Sequence, residues 1–374
     1  MRHRVYLVPG FFGFAYIGEF KYFAHVRDVL GADLAAKGID AEIIYVRTRP
    51  TASIRRRAQR LFETVAETSR EGDAVHLVGH SSGGLDARLL ASPGVDLGPD
   101  IDVESVASRL KSVVTVAAPH RGTPLAQFFT EVTGRRLMVL FSIISLHVVR
   151  RGPLPLRMAI RLAELVRTLD RKEKHERNMI DQLFEQVLSE FSPDRQQALA
   201  EFFEDVSGDQ GLMLQLVPSG AELLDATMAS RPGVREGSVV LRAKPPALGG
   251  MIAAGFDAYA QAMHTAYWWL HGRVGSGDPN VSHEIAPEHL TALRPGIGEP
   301  LPTSNDGIVP VWSQTWGTIV HATWADHLDA IGHFHDPAHE PPHYDWITSG
   351  TGFDRRRFQR LWRDVAGFLA GERD

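Results

Sequence analysis

The first third of the chain alternates between short apolar runs and stretches in which hydrophobic residues recur at helical spacing. The apolar runs predict β-strands at residues 4–8, 41–46, 75–78 and 110–117. Between them, hydrophobic residues three or four positions apart predict helices at residues 22–37 and 53–71. This alternation is typical of an α/β fold, with a mostly parallel central sheet and helices on both faces. Functional residues of such sheets lie at the carboxyl ends of the strands.

The middle of the chain carries apolar stretches of a different kind. Residues 137–146 form a run broken only by two serines, which is shorter than the about 20 residues that a helix needs to span a bilayer. A second, amphipathic stretch at 156–169 places arginines at its polar positions. We therefore predict an inserted helical lid or cap at 125–210, between core parts at 1–124 and 211–374.

The last third of the chain returns to the pattern of the first. Apolar runs at 238–241 and 318–320 predict two more strands of the sheet. An aromatic-rich stretch at 249–270 and a basic amphipathic stretch at 353–369 predict helices.

Composition narrows the class of protein. With 374 residues and 44% hydrophobic content, the chain can bury a large core, and its formal charge of -5 gives no reason to expect nucleic acid as a partner. Because it contains no cysteine, disulfides and thiolate chemistry are excluded. The first residues lack the apolar segment of a secretory signal, which predicts a cytoplasmic protein. A trimmed, secreted mature form would look the same.

A G-x-S-x-G pattern follows the predicted strand at 75–78. Gly79-His80-Ser81-Ser82-Gly83 leads directly into a helix-compatible segment. A strand, a sharp turn and a helix can hold a serine in a strained conformation with its hydroxyl exposed, and the glycines leave room for that turn. Ser81 is therefore the candidate nucleophile. The pattern is short, and alone it fits a glycine-rich turn without chemistry equally well.

A glycine turn with several phenylalanines follows the first predicted strand. In acyl transfer, such a loop can donate one backbone N–H to the developing oxyanion while the residue after the nucleophile donates another. On this interpretation Phe11 and Ser82 are the donors; alternatively, the phenylalanines only pack the loop against the core. The side chains that we predict to bind the substrate are Phe12, Phe14, Leu125 and Phe128.

These motifs resemble those of the bacterial true lipases of the α/β-hydrolase fold. That family has an oxyanion loop, an H-S-x-G-G elbow and an A-P-H-x-G-[ST] segment, which stand here as Pro9-Gly10-Phe11-Phe12-Gly13-Phe14, His80-Ser81-Ser82-Gly83-Gly84 and Ala118-Pro119-His120-Arg121-Gly122-Thr123. The resemblance covers residues 3–128 and returns at 301–333. Pro9 departs from it, because many of these lipases have histidine before the loop glycine.

The resemblance also implies the acid and the base. Asp306 lies in Asn305-Asp306-Gly307-Ile308-Val309, similar to the N-D-G-[LIV]-V segment of these lipases, and His327 lies in an H-L-D segment. A histidine that titrates near pH 6.5 can take the serine proton, and a carboxylate fixes its tautomer. Asn-Asp-Gly alone is simply a good turn. The alternative bases nearby are His321, His333 and His335.

The same resemblance also implies a candidate metal site. In many such lipases an aspartate two positions after the catalytic histidine binds a structural calcium ion, and Asp329 occupies that position. His333 stands where the family has a glutamine ligand, so a plain turn carboxylate is the alternative. The segment at 333–345 is rich in residues that can bind zinc, but no ligand quartet of known spacing emerges. The expected reaction itself requires no cofactor.

Together, the motifs predict a serine carboxylester hydrolase, a lipase or esterase that cleaves acyl esters through an acyl-enzyme on Ser81. Its partner would be a lipid or acyl-ester substrate, with transient contact between the lid and a lipid surface. A cap packed permanently over the site fits the 125–210 stretch as well. The alternatives are a lidded intracellular esterase or acyltransferase on small or polar esters, and a non-catalytic lipid-binding scaffold. The oligomeric state is left open.

Overall fold

The computed structural model describes most of the chain. The described residues are 2–11, 22–131, 136–137, 139–141, 143–144, 147, 154–169, 176–193, 196–197, 211–246, 258–276, 281–336, 338–340, 345 and 347–372.

A six-stranded sheet forms the centre of the molecule. Its strands are β1 (His3–Val8), β2 (Ala41–Tyr45), β3 (Ala74–His80), β4 (Leu110–Val116), β5 (Arg235–Arg242) and β6 (Thr318–Trp324). Their order is β2-β1-β3-β4-β5-β6, and every neighbouring pair is parallel. The predicted parallel sheet is therefore confirmed.

Helices connect the strands and cover the sheet. In chain order they are α1 (Val26–Ala36), α2 (Ile54–Thr68), α3 (Ser82–Ala91), α4 (Glu104–Ala107), α5 (Pro124–Thr130), α6 (Leu156–Thr168), α7 (Glu176–Ser189), α8 (Gly211–Leu216), α9 (Pro218–Asp225), α10 (Ala258–Gly275), α11 (Pro287–Ile297), α12 (Val311–Gln314) and α13 (Arg355–Ala370). The chain runs from β1 to β2 in one direction across the sheet and from β2 to β3 and β4 in the other. Because such crossovers are right-handed, α1 lies on the opposite face from α2 and α3. In agreement, α1 packs against α13, whereas α2 packs against α3.

This reversal of strand order decides where a site can form. The chain leaves β1 toward β2 but leaves β3 toward β4, so the loops after β1 and β3 diverge and open a crevice at their carboxyl ends. All seven residues of β3 are buried, as expected for a central strand covered on both faces. The loop glycine and the Ser81 elbow lie at the ends of these two strands.

The segment predicted as a lid or cap is helical where the structure describes it, and its role as a lid or cap stays a prediction. The helix expected at 156–169 is α6, which packs along α10 and buries Met158, Leu162 and Leu165 while Leu156 and Ile160 stay exposed. Within the described residues, no helix is both long and apolar enough to cross a membrane. Movement of this segment and the domain boundaries at 124 and 210 stay predictions.

Several element bounds differ from the sequence prediction for physical reasons. The helix expected from residue 22 begins at Val26, because His25 adopts a left-handed conformation with φ of 60°. Strand β5 begins at Arg235 and includes Gly237, whose missing side chain makes room for Val320 of the neighbouring strand. Strand β6 extends to Trp324 although it is only partly buried, since it lies at the edge of the sheet.

Candidate active site

Ser81 occupies a strained turn between β3 and α3. Its φ of 55° and ψ of -133° are rare for a residue with a side chain. Its N–H donates to the carbonyl of Val116 over 2.9 Å. A side chain at Gly79 would overlap the carbonyl of Gly83, and one at Gly83 would overlap that of Val8. The two motif glycines are thus required by close backbone packing, and the packing holds the serine in place.

Asp306 and His327 form a buried pair at the carboxyl end of the sheet. The Nδ1 atom of His327 lies 2.7 Å from Oδ2 of Asp306, and the His327 N–H donates to the Asp306 carbonyl over 3.0 Å. The other carboxylate oxygen accepts the N–H groups of Ile308 and Val309 at 2.9 and 2.7 Å. Because a carboxylate accepts at Nδ1–H, the Nε2 atom of His327 is left as the proton acceptor.

Gln314 completes the surroundings of Asp306 and had no signal in the sequence. Its amide nitrogen donates to Oδ2 of Asp306 at 3.2 Å and to the Val309 carbonyl at 3.1 Å. Its amide oxygen accepts the N–H of Leu241 in β5 at 2.7 Å. This fully buried side chain therefore fixes the acid to the central sheet.

A single apolar cavity of about 100 Å³ brings the predicted nucleophile and base together. Ser81 and His327 both line it, and so do two residues predicted for the oxyanion loop and the substrate site, Phe11 and Leu125. Much of the remaining wall is hydrophobic, including Phe129, Phe141, Ile144, Met213, Leu216, Met263, Leu270 and Ile347. The cavity can therefore bury an apolar group beside the serine hydroxyl.

The other predicted substrate residues are placed differently. Phe128 lines a separate, outer groove, and its ring packs against Trp269 with a centroid distance of 4.9 Å. Phe129 faces the cavity instead, because successive residues of a helix point about 100° apart. Phe12 and Phe14 lie outside the described residues.

Both predicted oxyanion donors belong to segments next to Ser81. Gly10 packs so closely that a side chain there would come within 2.5 Å of the Cβ atom of Ser81, and Phe11 follows it. Ser82 is the first residue of α3, where backbone N–H groups have no partner inside the helix. Such amides favour negative charge. The assignment of Phe11 and Ser82 as oxyanion donors stays a prediction.

The alternative bases lie elsewhere in the described structure. His321 is bonded through Nδ1 to Asp364 at 2.7 Å, and His333 donates from Nε2 to the Tyr22 carbonyl at 3.0 Å. Burial lowers the pKa of His333 to about 4. Of the four histidines left open by the sequence, all of them in the described part of the chain, His327 alone lines the cavity with Ser81.

Comparison with known proteins places this geometry in a fold. No protein-family model matches the chain, and no curated protein sequence does. Among solved structures, EstA from Clostridium botulinum superposes with a TM-score of 0.55 at 16% identity, covering 99% of this chain and 87% of that one. The Staphylococcus hyicus lipase gives 0.54 at 15% identity (98% and 95% covered), and lipase 1 from Pelosinus fermentans 0.52 at 15% (100% of both). The chain has the α/β-hydrolase fold. At these identities the likeness concerns the fold.

The chain positions of Ser81, Asp306 and His327 agree with the α/β-hydrolase fold. It presents its nucleophile on a strand-turn-helix elbow and carries nucleophile, acid and base in that chain order. Here Ser81 follows β3, Asp306 lies in the loop before α12, and His327 follows β6. Ser81, Asp306 and His327, far apart in sequence, therefore all lie on the side of the sheet where the strands have their carboxyl ends.

In this hydrolase fold, buried carboxylates flank His327: Asp326 precedes it and Asp329 follows it, while Asp345 comes later in the chain. Asp329 accepts the N–H of Asp326 at 2.9 Å and the hydroxyl of Thr351 at 3.2 Å. Burial raises the pKa of Asp326 to about 7. Burial and the charge of Asp326 raise the pKa of both Asp329 and Asp345 well above the usual range. The carboxylate of Asp329 is thus already engaged by donors of the protein.

These carboxylates do not form a recognisable metal site within the described residues. The described residues contain no group of three or more histidine, aspartate or glutamate side chains arranged to hold a metal ion. The histidine-rich segment at 333–345 gives no such group either, although its residues 337 and 341–344 lie outside the description. Calcium binding at Asp329 stays a prediction.

Proposed function

We propose that the protein is a serine carboxylester hydrolase that cleaves acyl esters through an acyl-enzyme on Ser81. The observation that carries this proposal is the shared cavity of Ser81 and His327, with His327 hydrogen-bonded to Asp306 at 2.7 Å. The solved structures of similar fold are described as a carboxyl esterase and as lipases, which supports an ester substrate.

The reaction follows from the roles of these groups. His327 takes the hydroxyl proton of Ser81 at Nε2 while the serine oxygen attacks the acyl carbon. The N–H groups of Phe11 and Ser82 stabilise the negative oxygen of the tetrahedral intermediate. The proton then passes to the leaving alcohol, and an acyl-serine remains. Water repeats the cycle and releases the acid, while Asp306 stabilises the charged form of His327 in both steps.

The cavity favours an apolar acyl group of limited length. An apolar cavity of about 150 Å³ in another protein accommodates benzene, so the space of about 100 Å³ beside Ser81 suits an acyl chain of a few carbons. An esterase acting on short acyl chains is therefore the form of the proposal that the cavity supports best. Turnover of p-nitrophenyl esters from acetate to palmitate separates it from a lipase, which would prefer the long chains and emulsified substrate.

Substitution of the nucleophile tests the proposal. We expect Ser81→Ala to abolish turnover of p-nitrophenyl butyrate and covalent labelling by a fluorophosphonate, because only an activated serine reacts. Ser112→Ala is the matched control: Ser112 is a buried serine of β4 that bonds to Nδ1 of His76 at 2.8 Å, and its loss should leave both readouts near wild type. Undiminished turnover in a folded Ser81→Ala variant would refute the proposal.

A further inference from the structure

The hydroxyl of Tyr22 joins the loops on both sides of Ser81. It accepts the N–H of Gly10 over 2.9 Å and lies 2.7 Å from Nδ1 of His80. The other ring nitrogen of His80, Nε2, lies 2.9 Å from the carbonyl oxygen of His327. Tyr22, His80 and His327 are all buried. One hydrogen-bonded chain therefore runs from the oxyanion loop, past the residue before the nucleophile, to the backbone of the base.

The direction of this chain is fixed by chemistry. A carbonyl oxygen can only accept, so the proton of His80 is on Nε2 and points to His327. Burial holds the pKa of His80 well below its usual value, so the ring carries one proton and Nδ1 accepts from the Tyr22 hydroxyl. The tyrosine oxygen in turn accepts from Gly10. Every donor in the chain thus has one acceptor.

The backbone of Tyr22 is fixed as well. Its carbonyl accepts from Nε2 of His333 at 3.0 Å, and two residues later the N–H of Ala24 donates to the carbonyl of Ile331 at 2.8 Å. Both partners belong to the segment that follows His327. Tyr22 is therefore held from the base side of the site, and its hydroxyl reaches across to the oxyanion side.

We propose that Tyr22, acting through Gly10 and His80, is a positioning residue that holds the oxyanion loop and the base in register around Ser81. The inference rests on the proposed ester hydrolysis. Gly10 packs against the Cβ atom of Ser81, so a shift of Gly10 also moves the next amide, that of Phe11, relative to the serine oxygen. Small errors in the position of an oxyanion donor cost rate, because donors act at a fixed distance from the developing charge.

Tyr22→Phe removes only the hydroxyl and tests the inference. We expect kcat on p-nitrophenyl butyrate to fall about 10- to 100-fold while KM changes less than about 3-fold, because the oxyanion amide acts in the transition state. The rate of fluorophosphonate labelling should fall in parallel. Phenylalanine keeps the carbon atoms of the tyrosine ring. The apolar wall of the cavity, which is proposed to bind the acyl group, is therefore unchanged.

Tyr6→Phe is the matched control. Tyr6 is a fully buried tyrosine of β1 whose hydroxyl bonds to Oγ1 of Thr68 at 2.7 Å, and it does not line the cavity. The Tyr6→Phe variant should lower the unfolding midpoint to a similar extent as Tyr22→Phe, but its kcat should stay near the wild-type value. Equal kcat values for the two variants would overturn the inference, and so would a Tyr22→Phe effect confined to KM.

A second variant keeps the inference testable if Tyr22→Phe does not fold. His80→Asn places an amide near the former Nδ1 position but removes the bond from Nε2 to the His327 carbonyl. We expect a fall in kcat of about 10-fold or more with little change in KM; wild-type kcat in folded His80→Asn would contradict the inference. If Ser81→Ala remained active, the proposed function would fail, whereas inactive Ser81→Ala with unaffected Tyr22 and His80 variants would refute the positioning role alone.

Discussion

At the scale of single residues, the acid and the base are joined twice. The side chains of Asp306 and His327 meet at 2.7 Å, and the His327 N–H donates to the Asp306 carbonyl over 3.0 Å. The second bond does not involve the carboxylate. Substitution of the carboxylate should therefore change the chemistry of the imidazole more than its location.

We expect Asp306→Asn to lower kcat about 10²- to 10⁴-fold with a smaller change in KM, because an amide neither stabilises imidazolium nor fixes the Nδ1–H tautomer. Steady-state hydrolysis of a p-nitrophenyl ester measures the effect. The control is Asp364→Asn, since Asp364 bonds to Nδ1 of His321 with the same 2.7 Å distance away from the cavity. A comparable loss in the two variants would argue against the role of Asp306.

Motifs pointed to the residues proposed to react, but not to the residues that contact their surroundings. Ser81, Asp306 and His327 each stand in a short pattern with its own chemistry, and the structure brings them to one edge of the sheet. Gln314 and Tyr22 make their contacts only in the folded chain, and both stand at sequence positions without a pattern. Similarly, Phe128 and Phe129 are alike in sequence, and only the rotation of α5 decides which of them reaches the cavity.

At the scale of elements, a buried ion pair joins the helix that follows Ser81 to a neighbouring helix. Arg57 of α2 and Asp86 of α3 meet at 2.8 Å with both side chains fully buried, and Arg57 also donates to the Pro9 carbonyl at 2.6 Å. Burial raises the pKa of Asp86 to about 6 against the opposing pull of Arg57. This pair links the two helices to the end of β1, where the oxyanion loop begins.

Gly83→Ala should destabilise the protein by at least about 2–3 kcal/mol, because the new methyl group would overlap the backbone of Val8 and Pro9 at the end of β1. Urea unfolding measures the change. Gly31→Ala is the control: Gly31 lies in α1, where the added carbon would meet Ile43 at an ordinary 3.6 Å. Its effect should be neutral or stabilising by up to about 1 kcal/mol. Equal stability of both variants would contradict the close packing inferred for the elbow.

Hydrophobic patterning located the elements well where burial was complete. Strand β3, buried along its whole length, and helix α2, with one apolar stripe, follow the predicted positions closely. Patterning failed at the ends of β5 and β6, because Arg235, Glu236 and His321 join the sheet through backbone pairing that carries no hydrophobic signal.

At the scale of the whole molecule, buried neutral histidines tie stability to pH. His76 of β3 lies between His3 and Ser112, at 3.0 and 2.8 Å, far from the carboxyl ends of the strands. Burial is the main cause that lowers its pKa to about 3. Between this value and the ordinary 6.5, the unfolded chain binds the proton and the folded chain does not. The contribution of His76 is therefore complete above pH 6.5 and is lost as the pH falls toward 3.

His76→Gln removes this titration and isolates its contribution. The unfolding free energy of the wild type minus that of the variant should fall by on the order of 1–2 kcal/mol from pH 8 to pH 5. The reason is that only the wild type has a histidine here that takes up a proton on unfolding. Urea unfolding of both proteins at the two pH values gives the result. A difference that stays constant or grows toward pH 5 would mean that His76 is not held neutral.

The fold class of the whole molecule followed from the sequence, because strands and helices alternate so regularly in the first third. What the sequence did not determine is how the helix at 156–168 packs against its neighbours. Exposed Leu156 and Ile160 and buried Leu162 are equally apolar, and their environments differ only because α10 covers one side of α6.

The distance in sequence between the residues of the site has a consequence for biosynthesis. His80 and His327 are separated by 247 positions, yet they touch in the folded protein. During translation Ser81 is therefore synthesised long before His327. Strand β4 cannot pair with β5 until more than a hundred further residues have been added. On the proposed mechanism, the growing polypeptide cannot hydrolyse esters before His327 has been translated and the strands β5 and β6 have joined the sheet.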